Sequence, residues 1–248
     1  MKKDIKSRGF TLVELSIVIV LIGLIVSGII GAQSLMVQAK LQKQIAKFKN
    51  YEVAYNAFKL TYDGIPGDFN SANAYWGVLD GDGNGRITHD GQGASNVNRE
   101  NLKFFLHLSQ AGLIDGTYNN TWSLGTGFPA TELADGKGMI AAGRITDSHL
   151  GWAPQFTSLG GLRRYKAALL LNVTNLPNAA YTEDYGVTSR KLAEAIDNKI
   201  DGGDDKDGSG THTVTGKFGF YSVRRSDVGS CLKANEADAC QLIYILAK

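Results

Sequence analysis

Side chains that carry oxygen alternate with glycine along residues 80–88, which read Asp-Gly-Asp-Gly-Asn-Gly-Arg-Ile-Thr. Oxygen ligands at alternate positions, a glycine at the sixth position and an apolar residue at the eighth form the pattern of an EF-hand calcium loop. The pattern predicts a weak calcium site. Its candidate ligands are Asp80, Asp82, Asn84, the backbone carbonyl of Arg86, and Asp90.

The loop is incomplete at its last ligand position. The twelfth position, where a bidentate glutamate closes an EF-hand loop, is Gly91; Asp90 lies one residue earlier, and Glu100 could help only from the next helix. Binding is therefore expected to be weak, as in extracellular calcium modules. The alternative is a solvated turn rich in Asp, Asn and Gly. A second acidic run, residues 201–208, lacks the alternating spacing and favours a surface loop.

The sequence offers little for catalysis. The four histidines are scattered, and neither the metalloprotease pattern His-Glu-x-x-His nor the hydrolase pattern Gly-x-Ser-x-Gly occurs. The pairs Gly136-Lys137 and Gly216-Lys217 lack the upstream glycine and the following Ser or Thr of a phosphate-binding loop. We therefore predict that the chain is not an enzyme.

Glu14 is an unusual carboxylate because it lies inside an apolar segment. It is the only charged side chain between Phe10 and Ala39, and a segment of this length can span a bilayer as a helix. A carboxylate costs about 3 kcal/mol at the centre of a bilayer and less near its surface, so it usually has a partner. We therefore expect Glu14 to have a partner that neutralises its charge.

Beyond Met36 the helical pattern continues but becomes amphipathic. Apolar residues recur in steps of three and four, and lysines occupy the other faces. The apolar positions are Val37, Leu41, Ile45, Phe48, Tyr51, Tyr55, Phe58 and Tyr62. Residues 10–62 would form one rod of about 80 Å, whose second half has a stripe for a domain to pack on. An ordinary secretory signal peptide has no need of that second half.

Positive charge is concentrated ahead of the apolar segment. Residues 1–9 carry four basic side chains and one acidic one, a charge of +3, so the total of +2 leaves −1 on all the others. The positive-inside rule places such a head on the cytoplasmic side of a membrane. The nearly neutral remainder gives no electrostatic reason to expect a nucleic acid as partner.

The junction between the basic head and the apolar segment resembles a known processing signal. Residues 6–15, Lys-Ser-Arg-Gly-Phe-Thr-Leu-Val-Glu-Leu, are similar to the class III signal and cleavage site of type IV pilins and type II secretion pseudopilins. The resemblance implies cleavage between Gly9 and Phe10 by a membrane prepilin peptidase, N-methylation of Phe10, and a role for Glu14 in assembly. It also favours calcium, since pseudopilins include calcium-binding members.

The rest of the chain favours an α+β fold, in which the long N-terminal helix packs on a C-terminal domain with an antiparallel sheet. We divide the sequence into a leader, a membrane-spanning assembly helix, an amphipathic continuation and a globular domain, at residues 1–9, 10–36, 37–62 and 63–248. Within the globular domain, helices are predicted at 98–112 and 189–198, and strands at 139–145, 167–173, 217–223 and 242–246.

Cys231 and Cys240 are the only cysteines, and eight residues separate them. In an exported protein they would form a disulfide that stabilises by about 2–3 kcal/mol in the chain-entropy model, whereas in a cytosolic protein they would be free thiols. Whether the two cysteines form a disulfide therefore depends on whether the protein is exported.

Taken together, these patterns predict a structural subunit of a type IV pilus or a secretion pseudopilus. It would be anchored in the bacterial inner membrane by a single helix, with its body in the periplasm or outside the cell. The expected partners are a prepilin peptidase, other pilin or pseudopilin subunits and the inner-membrane assembly machinery, and Ca²⁺ is the expected cofactor. The alternative is an exported, calcium-dependent binding module with an ordinary signal peptide, whose mature chain would begin near Gln33.

Overall fold

The computed structural model describes residues 11–88, 99–143, 166–174, 188–202, 217–222 and 240–247. The chain divides into two compact units, Met1–Gln42 and Lys43–Lys248, and the boundary lies within the segment predicted to be amphipathic. The described ranges contain four helices and four strands. In chain order they are α1 (Leu12–Tyr62), α2 (Ala72–Trp76), α3 (Glu100–Gln110), β1 (Lys137–Ala142), β2 (Ala167–Thr174), α4 (Arg190–Ile200), β3 (Phe218–Ser222) and β4 (Cys240–Ala247).

In the first unit, α1 exposes large apolar side chains on every face. The exposed residues run from Leu12 to Val37, and Val37 itself is 46% exposed although the sequence pattern places it on the buried stripe. By length and composition α1 could cross a membrane. Leucine and β-branched side chains without apolar neighbours need lipid or other helices around them.

The second unit is built on a four-stranded antiparallel sheet with the strand order β1-β2-β4-β3. Five consecutive residues of each central strand are buried, 167–171 in β2 and 242–246 in β4. Since neighbouring residues of a strand point to opposite faces, both faces of the sheet are covered. Helix α3 contacts β1, and α4 contacts β3 and β4.

The body half of α1, from Lys43 onward, packs on this sheet and on α3. Phe48 stacks on Tyr244 of β4 with ring centroids 4.8 Å apart, and it also contacts Phe218 of β3. Tyr51 meets Phe105 of α3 edge to face at 5.4 Å. The apolar stripe predicted for this half is thus the face that the core covers, and the predicted α+β arrangement is confirmed.

Glu52 anchors the same half of α1 to the sheet through polar contacts. The hydroxyl of Tyr244 and the Nζ of Lys217 both donate hydrogen bonds to its carboxylate. Burial acts to raise the pKa of Glu52, but these two hydrogen bonds outweigh it and hold the pKa below its usual range. The charge is therefore retained at a position that packs against the core.

Earlier in the same half of α1, two lysines share a carboxylate. Lys43 and Lys47 pair with Glu132 at 2.8 and 3.1 Å. Between them on the helix, Gln44 Oε1 accepts hydrogen bonds from the Thr131 hydroxyl and the Glu132 amide, at 3.0 and 2.9 Å. These contacts tie the segment before β1 to the helix.

His107 of α3 holds the connection between α1 and α3 in place. The Gly67 amide donates to Nδ1 at 3.0 Å, so Nε2 carries the proton and donates to the Leu79 carbonyl at 2.8 Å. The ring is completely buried. Burial lowers the pKa of His107 to about 4, and the nearby charge of Lys103 acts in the same direction.

The predicted elements of the second unit all occur among the described residues. The predicted helices 98–112 and 189–198 correspond to α3 and α4, and the four predicted strands correspond to β1–β4 with shifts at their ends. Helix α2 was not predicted from the sequence. It is one turn long and contains too few residues for a periodic pattern.

Replacing Phe48 by alanine should destabilise the second unit by about 3–5 kcal/mol, because it removes a fully buried ring from between α1 and β4. Val53→Ala is the matched control, since Val53 lies on the same helix but is 68% exposed, and we expect a change within about 0.5 kcal/mol. Urea unfolding of the full chain in detergent micelles measures both. Equal losses for the two variants would contradict the packing described above.

Acid should weaken the fold through His107. The His107 imidazole binds a proton near pH 6.5 in the unfolded chain, but only near pH 4 in the folded chain. The free energy of unfolding that His107 contributes is therefore fully present above pH 6.5 and is lost as the pH falls toward 4. The loss is about 3 kcal/mol between about pH 7 and pH 4. Urea titrations of wild type and His107→Gln at several pH values measure it, because the difference between the two curves removes the contribution of the carboxylates. Parallel curves would show that His107 has no such role.

Candidate functional site

Two places in the described part of the chain contain candidate functional residues. One is Glu14 in the apolar half of α1. The other is a group of carboxylates that brings together the turn after α1, the loop 80–88 and the first turn of α3.

Glu14 closes the N-terminus of α1 with a capping box. The carboxylate oxygen Oε2 accepts hydrogen bonds from the Thr11 amide and the Thr11 hydroxyl, both at 2.8 Å, and the Glu14 amide donates to that hydroxyl at 3.3 Å. Reciprocal bonds between an N-cap threonine and a glutamate three residues later satisfy amides that a helix end otherwise leaves unpaired. Among the described residues, the other oxygen, Oε1, receives no hydrogen bond. Gly9 and Phe10 lie outside the described residues.

Two glycines allow the turn after α1 to come close to its neighbours. A side chain at Gly67, where φ is +92°, would lie 2.5 Å from the carbonyl oxygen of Glu100, and one at Gly81 would lie 2.1 Å from the backbone carbonyl carbon of Asp68. The amides of Gly81 and Gly83 donate to the carbonyls of Phe69 and Asp68 at 2.8 and 2.9 Å. The turn is therefore enclosed between α3 and the loop 80–88.

This enclosure brings three carboxylates together. One oxygen each of Asp68, Asp82 and Glu100 lies within 4.8 Å of the others. Asp68 and Glu100 are buried, whereas Asp82 is exposed. We call these three residues the carboxylate cluster.

Backbone amides hold the two buried carboxylates in position. Asp68 accepts hydrogen bonds from the amides of Asn84 and Gly85 at 2.9 and 2.8 Å. Glu100 accepts from the amides of Asp82 and Thr88 at 2.9 and 2.7 Å. The loop 80–88 is thus wrapped around carboxylates that belong to other parts of the chain.

The cluster is electrostatically strained when it is fully charged. Burial raises the pKa of Asp68 to about 7, and the neighbouring carboxylates of Asp82 and Glu100 add to the effect. Burial likewise raises the pKa of Glu100. Burial acts in the same direction on Asp82, but the hydrogen bonds from Asn84 outweigh it and lower its pKa. Like charges at this separation favour either protonation or a bound cation.

The structure distributes the predicted calcium ligands differently from the EF-hand register. Asp82 is in the cluster. Asp80 is not in the cluster, because its Oδ1 accepts a hydrogen bond from the Asn73 amide at 2.7 Å, at the start of α2. Ser71, the N-cap residue of α2, makes no capping hydrogen bond with its side chain. Asn84 uses its side-chain amide to donate to Asp82 at 2.7 Å.

The other two predicted ligands stay predictions. Arg86 was predicted to bind through its backbone carbonyl, and its side chain is half-buried; Asp90 lies outside the described residues. Sequence reasoning missed Asp68 and weighed Glu100 only as a helper. No local signal marks Asp68, because its partners follow 14 to 32 residues later in the chain.

The predicted disulfide stays a prediction. Cys240 is the first residue of β4, where its backbone pairs with Ser222 of β3. Cys231 lies outside the described residues.

Comparison with known proteins identifies the N-terminal site. Residues 5–30 match the family model described as the prokaryotic N-terminal methylation motif. No curated protein and no solved structure matches the chain. The matched segment contains Gly9, Phe10, the Thr11–Glu14 capping box and the first half of the apolar helix. Residues 5–30 therefore carry the prokaryotic N-terminal methylation motif, in agreement with the resemblance of this segment to the class III signal peptide of type IV pilins and pseudopilins.

Proposed function

We propose that the chain is a structural subunit of a type IV pilus or of a type II secretion pseudopilus. A prepilin peptidase cuts it between Gly9 and Phe10, and the mature subunit assembles through the apolar half of α1. The methylation motif at residues 5–30 is the observation that carries this proposal. The expectation that the chain is not an enzyme is part of it, since a filament subunit acts by assembly.

The exposed apolar surface of α1 supplies the packing surface for assembly. Leucine, isoleucine and valine side chains are exposed on all faces from Leu12 to Val37. In the membrane these side chains are surrounded by lipid, and in a filament they pack against the same helices of neighbouring subunits. Such an exchange keeps the apolar surface out of water at every stage.

Glu14 supplies the specific contact in this apolar setting. In the subunit, Thr11 occupies one of its two carboxylate oxygens. The other can accept a hydrogen bond from the amine that cleavage creates at Phe10 of a neighbour. An ion pair in a region of low dielectric constant is strongly coupled, because loss of one partner leaves the other charge unpaired, at a cost of about 3–5 kcal/mol.

The second unit gives the filament its exposed surface. It has its own buried core around the sheet, so it can fold without any change in the apolar half of α1. Residues 63–248 exceed what a compact major subunit needs, which favours a minor or specialised subunit. The body would lie in the periplasm before assembly and on the outside of the filament afterwards.

Cleavage can be tested by N-terminal sequencing and intact mass measurement of the chain from a host that contains a prepilin peptidase. We expect the mature chain to begin at Phe10 and to carry one added methyl group. Gly9→Leu should leave the leader attached, because a bulky side chain blocks the extended backbone that a protease needs at this position. A mature chain that begins near Gln33 would instead favour the exported binding module.

Assembly can be tested with Glu14→Gln, which keeps the shape of the side chain and removes its charge. We expect the yield of sheared filaments to fall at least tenfold, since each tenfold step needs only about 1.4 kcal/mol of the lost pairing energy. Cleavage and the thermal stability of the second unit should be unchanged.

Ser16→Ala is the matched control for this variant. Ser16 lies in the same apolar helix, and its hydroxyl donates to the Val13 carbonyl of its own helix at 2.8 Å. This variant should assemble normally. Normal filament yield from Glu14→Gln would refute the proposed pairing.

A further inference from the structure

The carboxylate cluster joins three separate segments around one point. Asp68 comes from the turn after α1, Asp82 from the loop 80–88, and Glu100 from the first residue of α3, and their nearest oxygens lie within 4.8 Å of one another. Calcium binds oxygen ligands at about 2.3–2.6 Å, so two oxygens on opposite sides of one ion are about 5 Å apart. A single ion can therefore reach all three carboxylates.

A buried hydroxyl beside the cluster is a second observation that points to a ligand. Tyr55 of α1 is only 1% exposed, and its hydroxyl has no hydrogen-bond partner within the described part of the chain. The Tyr55 ring stacks on the ring of Phe104, one turn after Glu100 in α3, with centroids 6.5 Å apart. Burial and the charge of Asp68 raise the pKa of the Tyr55 hydroxyl. Buried polar groups generally have a partner, and an ion-bound water next to Asp68 would provide one.

The donor set selects the class of cation. All three ligands are carboxylates, which suit hard cations such as Ca²⁺ and Mg²⁺ rather than metals that prefer sulfur or imidazole. His107 is nearby in the fold, but both its ring nitrogens are already used by Gly67 and Leu79. Calcium accepts irregular geometry from loop ligands, whereas Mg²⁺ requires a nearly ideal octahedron.

The carboxylates are also held ready for an ion. Amides of the loop 80–88 donate to both oxygens of Asp68 and of Glu100 and fix the positions of these carboxylates. The third member, Asp82, is exposed and gives the ion a path from solvent. One divalent cation would replace the repulsion of three negative charges by attraction.

We propose that Asp68, Asp82 and Glu100 bind one calcium ion, and that this ion links the turn after α1, the loop 80–88 and α3. The site differs from the EF-hand register in that Asp68 and Glu100 take the place of Asp80. It does not depend on the proposed role in a filament, because every ligand belongs to the second unit.

Calcium binding can be measured on the full chain in detergent micelles after treatment with EDTA and exchange into chelator-free buffer. Isothermal titration with CaCl₂ should show one site with half-saturation at about 0.1–1 mM, the range of extracellular modules. At about 10 mM CaCl₂ the thermal unfolding midpoint should rise by about 4–8 °C.

The Asp82→Asn variant should show neither the binding heat nor the rise of the midpoint, and it should still fold, because Asp82 is exposed. The Asp68→Asn variant should also lose the binding heat and the rise of the unfolding midpoint.

Asp80→Asn is the control that separates the structural ligand set from the EF-hand register. Asp80 lies in the same loop, but it bonds to the Asn73 amide instead of the cluster. This variant should bind calcium within about twofold of wild type, which is less than about 0.5 kcal/mol. Loss of binding in Asp80→Asn together with retention in Asp68→Asn would overturn the assignment. The assignment would also be overturned if CaCl₂ produced neither heat nor a shift of the unfolding midpoint in the wild type, or if MgCl₂ shifted that midpoint equally.

Discussion

The apolar surface of helix α1 has to be kept from water along most of its length, and the two parts of the helix meet this requirement differently. From Lys43 onward, one stripe of aromatic side chains is covered by the sheet and by α3. In the first unit every face is apolar and exposed, so the helix needs lipid or other helices. The sheet, α3 and the polar anchors of the second unit all serve to cover the single stripe of the body half.

Several charged side chains of α1 have a structural partner. Glu52 stays charged because Lys217 and Tyr244 donate to it, and Lys43 and Lys47 share Glu132. At the other end, Glu14 completes a capping box with Thr11. The same carboxylate thus stabilises the start of the helix, and its other oxygen receives no hydrogen bond among the described residues. Capping is compatible with the intermolecular pairing proposed above, because a carboxylate has two oxygens.

The secondary structure of the second unit follows closely from local patterns. All four strands and both longer helices are predictable, since apolar runs and periodic stripes are properties of consecutive residues. The residues at which these elements begin and end are less predictable. The strand predicted at 139–145 begins instead at Lys137, where it pairs with Thr174 of β2. Pairing partners that lie 37 residues away cannot be read from a local window.

The candidate cation site likewise depends on contacts between residues that are far apart in the sequence. The alternating oxygens of residues 80–88 mark the loop that contains Asp82, but their spacing also favours Asp80 as a ligand. In the fold, Asp80 is bonded to α2 through Asn73. Asp68 and Glu100, which face Asp82, come from elements on either side of the loop. Gly67 and Gly81 permit this approach, because any side chain at either position would collide with backbone atoms.

The sequence by itself determined the N-terminal segment of this protein: the methylation motif, the apolar run and its single glutamate are contiguous, and each depends on residues within a few positions of the others. Only the tertiary structure decided which carboxylates meet and which strands pair, and that His107 is neutral. Those properties depend on distances and burial between residues far apart in the chain. Folding sets both through long-range packing, which no local pattern of residue types encodes.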